Sequence, residues 1–308
     1  MQIASGRVGS AAFDISFKGQ GMTRVVYVNG RYLPYAEAGV HVEDRGFQFA
    51  DAIYEVCEVN GGRLVDETRH MDRLERSLGE LRIPLPMSRR ALGLILREVI
   101  RRNRVETGLV YLQVTRGTAP RDFPFPAAGA TSPTVVCLAR RVDGTKREAR
   151  AEGGIAVKTM PDIRWGRCDI KTVMLLPAVL AKEAAAADGA QEAWLVDSDG
   201  FITEGASSNA WIVDKAGTLI TRPTGNAILP GVTRRSLLDV LSRENIPLVE
   251  RPFSVDEAIS AREAFITSAS GTVMPVVRIN GVSIGNGYPG DLTRRLRSKF
   301  HQAVEFSR

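Results

Sequence analysis

The sequence predicts a mixed α/β (α+β) chain of two domains. Strand pairs joined by tight turns recur in both halves, two amphipathic helical segments lie within the first half, and a polar, charged stretch separates the halves. Strands do not alternate regularly with helices, so a repeated βαβ arrangement is not expected. We predict a small α/β domain over 22–142, an interdomain linker over 143–154 and a larger domain over 155–308.

The first half begins with two predicted hairpins and continues with two helices. The hairpins are "VVYVNGRYLP", turned at Asn29-Gly30, and "IYEVCEVNGGRLV", turned at 60–62. Apolar residues at helical spacing predict the helices, the second after a cap at Ser88: Met71, Leu74, Leu78 and Leu81, then Leu92, Leu96, Val99 and Ile100. Two strands, "LVYLQVTRG" and "TVVCLAR", flank a proline-rich loop.

The second half begins with the strand "IAVKTM" and a helix that the apolar run "VMLLPAVLA" predicts to be buried. Hairpin-like pairs follow in "EAWLVDSDGFITEG" and "NAWIVDKAGTLITRP". The remaining predicted elements are the helix "PGVTRRSLLDVLSREN", the strand "EAFITSAS" and a last hairpin turned at Asn280-Gly281. This order again favours a mixed fold.

Composition excludes several classes of protein. The chain has 308 residues, 44% of them hydrophobic, which is enough for a substantial core, and it has no apolar run long enough to span a membrane. The net charge is +6, but the arginine pairs are scattered, which favours solvated helix faces over a nucleic-acid site. Neither a G-x-G-x-x-G after a strand nor a GxxxxGK[ST] motif occurs, so dinucleotide and nucleoside-triphosphate binding lack support.

Cysteines, histidines and the N-terminal segment give three further expectations. Three widely spaced cysteines predict free thiols in a reducing cytoplasm. The three histidines lie far apart with no HExxH, so no protein-ligated catalytic metal is expected. Residues 1–21 are rich in Gly, Ser and Ala without an apolar signal core, and we expect a poorly ordered extension before a natural start at Met22.

Lys171 stands where a loop turns into the apolar run of the second half. A lysine in this position could simply lie at the surface before a helix. Alternatively, partial desolvation favours its neutral amine, a nucleophile that forms Schiff bases with aldehydes such as pyridoxal phosphate. The second hypothesis requires an acid for the pyridine nitrogen and an anion site for the phosphate.

The sequence offers residues for each of these requirements. Glu204 stands at a strand end before a turn of small residues. A helix start with free amides and a hydroxyl is predicted at 231–233, and Arg73 lies on a helix. Ser268 and Ser270 lie in a turn at the end of a strand. Each of these signals alone is weak.

Six segments together carry a resemblance to a known family. They are "EDRGFQFADAIYEV", "HMDRLERS", "YLQVTRGTAPRDFPFP", the segment from "DIKTVMLLPAVLAK" to "TEGASSNAWIV", "ILPGVTRRSLL" and "FITSASGTVMPV". The chain resembles the fold-type IV pyridoxal-phosphate enzymes, and among them the D-amino-acid aminotransferases, from about Val25 to Phe300. The resemblance implies a small α/β domain, a larger pseudo-barrel domain and transfer of an amino group from a D-amino acid to a 2-oxo acid by a ping-pong Schiff-base mechanism.

The resemblance also implies roles for individual residues. Lys171 would be the Schiff-base lysine and proton shuttle, and Glu204 would keep the pyridine nitrogen protonated. The other cofactor contacts would come from Arg73, Leu229, Val232, Thr233, Ser268 and Ser270. Ser207 and Ser208 would lie at the substrate end of the cofactor, and no metal takes part.

Two residues match those that grip the substrate carboxylate in this family, Tyr54 and Arg121. The loop that carries Arg121 reaches into a neighbouring subunit in the family, which implies a homodimer. The family loop usually reads Arg-x-His, whereas this chain has Phe123 in place of the histidine. Phe123 either simply packs the loop or alters specificity, through a weaker carboxylate grip or an apolar slot for amines. Ala269 replaces a common threonine near the phosphate.

Other functions on the same fold stay open at this point. They are branched-chain L-amino-acid transamination, (R)-selective amine transamination and aminodeoxychorismate lyase activity. A non-catalytic binding protein that has lost the cofactor is the alternative from another class.

Overall fold

The computed structural model describes residues 25–307. The predicted N-terminal extension lies outside them. The elements of the first half, in chain order, are β1 (Val25–Val28), β2 (Arg31–Pro34), a 3-10 turn (Tyr35–Glu37), α1 (Arg45–Phe49), β3 (Ala52–Asn60), β4 (Arg63–Val65), α2 (Glu67–Glu80), α3 (Arg89–Arg102), β5 (Thr107–Thr115) and β6 (Val135–Arg141).

The second half adds helices and a larger sheet. Its elements are α4 (Gly144–Gly153), β7 (Ile155–Pro161), α5 (Leu176–Ala187), β8 (Glu192–Val196), β9 (Ile202–Gly205), β10 (Asn209–Val213), β11 (Leu219–Thr221), α6 (Val232–Arg243), β12 (Leu248–Glu250), α7 (Val255–Ser260), β13 (Glu263–Ser268), β14 (Thr272–Ile279), β15 (Val282–Ser283), α8 (Asp291–Ala303) and β16 (Phe306–Ser307).

The first sheet confirms the predicted hairpins and helices. Among the described residues it has seven strands in the order β16-β4-β3-β5-β6-β1-β2. Asn29 and Gly30 turn the first hairpin at φ +44° and +89°, a left-handed geometry that suits an Asn-Gly turn. The Ser88 side chain caps α3 by accepting from the Ala91 amide at 3.3 Å. The apolar faces of α2 and α3 lie buried on this sheet.

The second sheet curls back on itself. Its described strands follow the order β12-β11-β10-β13-β14-β7-β8-β9, with β15 added beside β14. Strand β9 ends this order, yet a tight turn joins it to β10 near the middle, where the Gly205 amide donates to the Ser208 carbonyl at 2.6 Å. This return of the edge towards the centre agrees with the predicted pseudo-barrel.

The connection between the sheets is more ordered than a linker. Residues 144–153 of the predicted linker fold as α4, which Asp143 caps through the Lys146 amide at 3.1 Å. The chain end then returns to the first sheet, because β16 pairs with β4 through Phe306 and Val65. The domain limits drawn from the sequence stay a prediction.

Helix α5 departs from expectation. The sequence predicts a buried helix, but Leu176, Val179 and Leu180 are exposed, and the buried face consists of alanines such as Ala181 and Ala185. A strongly apolar run therefore leaves half of its surface uncovered within one chain. Over residues 25–307, no helix is both long and apolar enough to cross a membrane.

Candidate active site

A cleft of about 290 Å³ is lined by residues of both sheets and of the segments that join them. Eleven of the thirteen predicted site residues line it: Tyr54, Arg73, Lys171, Glu204, Ser207, Ser208, Leu229, Val232, Thr233, Ser268 and Ser270. Chain segments far apart in sequence thus bring the proposed amine, acid and anion site to one place.

Lys171 is held at the cleft by the first sheet. Its carbonyl accepts from the Tyr54 amide at 3.0 Å, and Thr172 bridges to Ile53 on β3. The Lys171 ammonium nitrogen lies 4.1 Å from the centre of the Tyr54 ring, and the ring stacks on Tyr111. The half-buried amine therefore rests on an aromatic face rather than on the apolar side chains of α5.

Glu204 is a buried carboxyl group at the end of β9. It accepts from the Asn209 side-chain amide at 2.9 Å and from the Leu229 backbone amide at 3.1 Å. Burial raises the pKa of Glu204 to about 7, although the nearby Arg164 guanidinium and the Leu229 amide act in the opposite direction. A second positive charge in the cleft would therefore find a carboxyl group that ionises readily near neutral pH.

Arg164 is a functional residue that sequence reasoning missed. Its Nη1 donates to Glu204 at 2.5 Å, and its Nε and Nη2 donate to Asp162 at 2.9 and 2.7 Å. Burial alone would lower the pKa of Arg164, but the hydrogen bonds to Asp162 and the charge of Glu204 raise it. The adjacent "PDIRW" has the composition of an ordinary charged loop, so only the Asp-x-Arg pairing hinted at this role.

The N-terminus of α6 forms the predicted anion site. Gly231 is its N-cap, with no side-chain cap, and Val232 and Thr233 begin the helix at the cleft. A Cβ on Gly231 would lie 2.1 Å from Oδ1 of Asn209, so glycine is needed there. Ser268 and Ser270 add hydroxyl groups from the turn between β13 and β14, as predicted.

Arg73 approaches the same end of the cleft from α2. Its Nε and Nη2 each donate to Glu55 at 2.8 Å, and its Nη1 donates to the Pro230 carbonyl at 3.2 Å. Three of its five N–H donors are thus used, and two remain for an anion. Burial opposes ionisation of both partners, but the ion pair lowers the pKa of Glu55 to about 2 and raises that of Arg73.

Ser207 and Ser208 meet an acid that the sequence did not single out. Their hydroxyl groups donate to the buried Glu192 at 2.7 and 3.2 Å, and Lys182 pairs with the same carboxylate at 3.3 Å. Glu192 begins β8 in "QEAWLV", where its burial carried no sequence signal. These bonds fix the serines of the β9–β10 turn at the cleft.

Arg121 and Phe123 are the two predicted site residues that do not line the cleft of their own chain. They lie on an exposed loop, where Phe123 is 82% exposed. The Arg121 guanidinium lies 4.9 Å from the Phe49 ring centre, and the Phe123 ring lies 5.7 Å from it. Within one chain, therefore, nothing places them at Lys171.

The cleft fits pyridoxal phosphate by its donor set. An amine stands at Lys171, a buried carboxyl group at Glu204, and an uncapped helix N-terminus with an arginine at the opposite end. These are the three groups that such a cofactor requires. Among the described residues, no group of three or more His, Cys, Asp or Glu side chains could hold a metal ion.

Comparison with known proteins agrees with this geometry. D-alanine aminotransferase of Staphylococcus haemolyticus is 38% identical over 284 residues, covering 92% of this chain and 99% of that protein. D-alanine aminotransferase of Bacillus licheniformis is 38% identical over 279 residues, covering 91% and 96%. Similarity of this kind extends over almost the whole chain, as the sequence segments predicted.

Solved structures share the fold at lower identity. Branched-chain amino acid aminotransferase of Escherichia coli superimposes with a TM-score of 0.81 at 24% identity, covering 91% of this chain and 94% of that one. A second branched-chain amino acid aminotransferase, from T.th. and solved with pyridoxamine 5′-phosphate, gives a TM-score of 0.82 at 22% identity, covering 92% and 94%. These matches confirm the predicted fold class.

The family assignment rests on a match over most of the chain. The family model described as amino-transferase class IV matches residues 52–279, which include every cleft residue named above. This match confirms the predicted enzyme class and its pyridoxal-phosphate cofactor. The chain belongs to the amino-transferase class IV family.

Proposed function

We propose that this chain moves the amino group of a D-amino acid, such as D-alanine or D-glutamate, to a 2-oxo acid. The observation that carries the proposal is the convergence of Lys171, Glu204, Arg73 and the α6 N-terminus on one cleft. Relatives whose names state D-alanine aminotransferase, at 37–38% identity over more than nine-tenths of the chain, support the D-configuration.

Bound pyridoxal phosphate supplies an aldehyde for Schiff-base formation and a ring that accepts electrons from the substrate α-carbon. The chain's own groups then divide the work. Arg73, Thr233 and the amides at the start of α6 bind the phosphate and fix the position of the ring. Lys171 takes the α-proton of the donor on its Nζ and holds it for transfer, which makes it the general base and acid. Donor and acceptor use the same site in turn.

Glu204 and Arg164 set the electrostatics at the pyridine end. Glu204 is held in place by Asn209, Leu229 and Arg164, so its carboxyl group does not need to reorganise when a positive charge approaches. A protonated pyridine nitrogen beside it favours the ionised carboxylate, and the carboxylate in turn favours the protonated ring. Arg164 limits this effect, because it already shares the negative charge of Glu204.

The working unit we propose is a homodimer in which Arg121 of one copy reaches the cleft of the other. Its support is the uncovered apolar surface beside Lys171, formed by Met174, Leu176, Val179 and Leu180, and the outward position of Arg121. If Lys171→Ala and Arg121→Ala chains are mixed, one hybrid site carries both intact residues, and activity should return. Purified mixed dimers that stay inactive would contradict this arrangement.

A second candidate function rests on Phe123. An apolar ring replaces the hydrogen-bond donor that we expect at the substrate carboxylate, so the site could accept aryl-alkyl amines that lack a carboxylate. Activity of the wild type with (R)-1-phenylethylamine, compared with D-alanine under the same conditions, distinguishes the two functions.

We further propose a cytoplasmic location and small-molecule partners only, with neither nucleic acid nor membrane involved. The support is the state of the cysteines, because Cys57, Cys137 and Cys168 are all free thiols and two of them are buried. Arginines of the described residues pair widely with carboxylates, as Arg89 does with Asp72 and Glu75. Much of the basic charge is therefore already neutralised at the surface.

Formation of pyruvate from D-alanine, measured with and without an added 2-oxo acid, tests the proposed reaction. A transaminase without an acceptor should stop after about one pyruvate per site, because the amino group stays on the enzyme, and should turn over when 2-oxoglutarate is added. A lyase, assayed in the same way with aminodeoxychorismate, would continue to release pyruvate without an acceptor. Lys171→Ala is the matched control and should give no pyruvate in either case.

A further inference from the structure

We propose that Arg45 is a positioning residue for substrate recognition. It holds the tip of the loop over residues 117–133, so that Arg121 and Phe123 are presented in a fixed geometry to the cleft of a second copy. This proposal rests on the proposed function, in which Arg121 binds the substrate carboxylate.

The contacts of Arg45 are unusual for a residue that lies away from the cleft. Its side chain is 3% exposed, and its Nε donates to Asp51 at 2.9 Å. Its Nη1 donates to the Asp122 carbonyl at 2.7 Å, and its Nη2 donates to the Phe123 carbonyl at 3.3 Å. One planar guanidinium thus joins a carboxylate of the fold to two consecutive carbonyls directly after Arg121.

Asp51 does not require Arg45 as its counter-ion. Arg116 donates to both oxygens of Asp51, through Nε at 2.7 Å and Nη2 at 2.9 Å. Arg116 also donates to the carbonyls of Leu81 and Arg82, and its guanidinium lies 3.6 Å from the Phe125 ring centre. Asp51 and Arg116 therefore form a rigid base, and Arg45 is an added buried charge whose other donors serve the loop.

The backbone fixes the ends of the same loop. The Arg45 amide donates to the Gly117 carbonyl at 2.9 Å, and the Thr131 hydroxyl donates to the Arg116 carbonyl at 2.9 Å. Gly117 adopts φ +101°, and a Cβ there would lie 2.0 Å from the Ser132 carbonyl oxygen. With both ends closed in this way, the Arg45 side chain joins the tip to the base.

A loop that orients a binding group has a kinetic signature. If Arg121 binds the carboxylate equally in the ground state and the transition state, loosening the loop raises KM and leaves kcat nearly unchanged. A purely structural loss would instead lower the amount of active enzyme, and with it the apparent kcat. Arg45→Met should fold, because Asp51 keeps its bidentate partner Arg116.

The first experiment measures Arg45→Met, Arg45→Lys and wild-type holoenzyme with D-alanine. We expect KM to rise at least about tenfold in Arg45→Met, which corresponds to about 1.4 kcal/mol, with kcat within about twofold. Arg45→Lys keeps the charge but has no planar fork for two carbonyls, so its KM should lie between. Arg89→Met, which removes an exposed ion-paired arginine on α3, is the control and should leave both constants unchanged.

Trypsin provides a readout independent of activity. Cleavage after Arg121, followed by mass spectrometry, should be several times faster in Arg45→Met than in wild type and unchanged in Arg89→Met. If KM and the cleavage rate both match the wild type while thermal unfolding shows a folded protein, the proposal is overturned. A fall in kcat at constant KM would also overturn it, because that outcome indicates a structural role alone.

Mixed dimers separate this proposal from the cross-subunit function. The single live site combines Lys171 of an Arg121→Ala chain with the loop of a Lys171→Ala chain. Arg45→Met should raise KM when added to the Lys171→Ala chain, which supplies the loop, and should have no effect when added to the other. Equal effects from either chain overturn the positioning role in trans. An inactive mixed dimer without the Arg45 change contradicts the cross-subunit function itself, while the KM and trypsin results still decide whether Arg45 positions the loop.

Discussion

At the scale of single residues, Glu204 shows two opposing influences on one carboxyl group. Burial raises its pKa to about 7, while Arg164 and the Leu229 amide favour the ionised form. In the folded, cofactor-free protein this group therefore holds a proton between pH 4.5 and 7 that it has lost in the unfolded chain. Stability falls as pH rises through that window, and the loss stays constant above about pH 7.

Glu204→Gln should remove this pH dependence. Glutamine keeps the shape but does not ionise, so the mutant should gain stability relative to wild type by roughly 3 kcal/mol between about pH 5 and about pH 8. Urea unfolding of both cofactor-free proteins at the two pH values measures the difference. The loaded mutant should retain cofactor yet lose most of its α-proton transfer rate in single turnovers. An equal stability difference at both pH values would show that Glu204 does not titrate in this range.

Phe123 is the residue at which this chain departs from the family loop. A hydrogen bond to a charged carboxylate contributes about 1.5–3 kcal/mol, so Phe123→His should raise kcat/KM for D-alanine by about tenfold to a hundredfold. If the ring accommodates amines, the same variant should lose activity on (R)-1-phenylethylamine. Tyr288→His changes another exposed aromatic residue and serves as the control. Changes below about twofold with both substrates would place Phe123 outside the carboxylate pocket.

The limits of sequence reasoning are also visible at this scale. Lys171 and Glu204 were found because a reactive amine and a lone acid stand in recognisable segments. Arg164 and Glu192 were missed, because their importance comes from partners far away in the chain, Glu204 for the first and Ser207 and Ser208 for the second. An acid or arginine in a polar segment gives no signal of burial or of its partner.

At the scale of elements, the start of α6 depends on close packing at Gly231. A Cβ there would lie 2.1 Å from Oδ1 of Asn209, whose amide group holds Glu204 and the Leu229 carbonyl. The helix start and the acid are therefore coupled through Asn209. This coupling makes one glycine important for both ends of the cofactor.

Gly231→Ala should weaken cofactor binding by at least about tenfold, because displacing Asn209 shifts both the helix start and the Glu204 network. Titration of the cofactor-free protein with pyridoxal phosphate, followed by absorbance, gives the dissociation constant. Gly79→Ala is the matched control: it lies on α2, where nothing stands within 4 Å of an added Cβ, and should leave binding unchanged. Equal constants for Gly231→Ala and wild type would mean that this close contact relaxes without cost.

Elements were predicted best where a local pattern decides the structure. The spacing of Met71, Leu74 and Leu78 predicts α2, and Asn29-Gly30 predicts the first hairpin. The segment 143–154 reads as polar and charged, yet α4 forms there, because Asp143 caps it and Ala151 packs into the second core. For α5 the apolar content was correctly recognised, but which surface covers it depends on contacts beyond the local sequence.

At the scale of the whole molecule, the exposed face of α5 should be a dimer contact. Val179→Lys places a charge on this face and should convert dimers to monomers at micromolar concentration, with loss of activity. Val282→Lys, the same change at an exposed position on β15, should leave the dimer intact. Sedimentation velocity measures the oligomeric state. A stable, active Val179→Lys dimer would show that the contact lies elsewhere.

Long-range organisation was the part least open to prediction. The pairing of β16 with β4 joins the end of the chain to the first sheet, and the bridge from Thr172 to Ile53 ties Lys171 to β3. Neither contact has a local pattern that announces it. The similarity to class IV aminotransferases supplied the arrangement that the residues alone did not.

The most direct test of the whole account is a half-reaction with the two enantiomers of alanine. Purified holoenzyme is mixed with D- or L-alanine without an acceptor, and the loss of the cofactor's aldehyde-form absorbance is followed in a stopped-flow instrument. D-alanine should convert the cofactor within one turnover and release about one pyruvate per site, at least about a hundredfold faster than L-alanine, a difference of about 2.7 kcal/mol. Faster conversion by L-alanine, or none by either enantiomer, would contradict the proposed D-amino-acid transamination at Lys171.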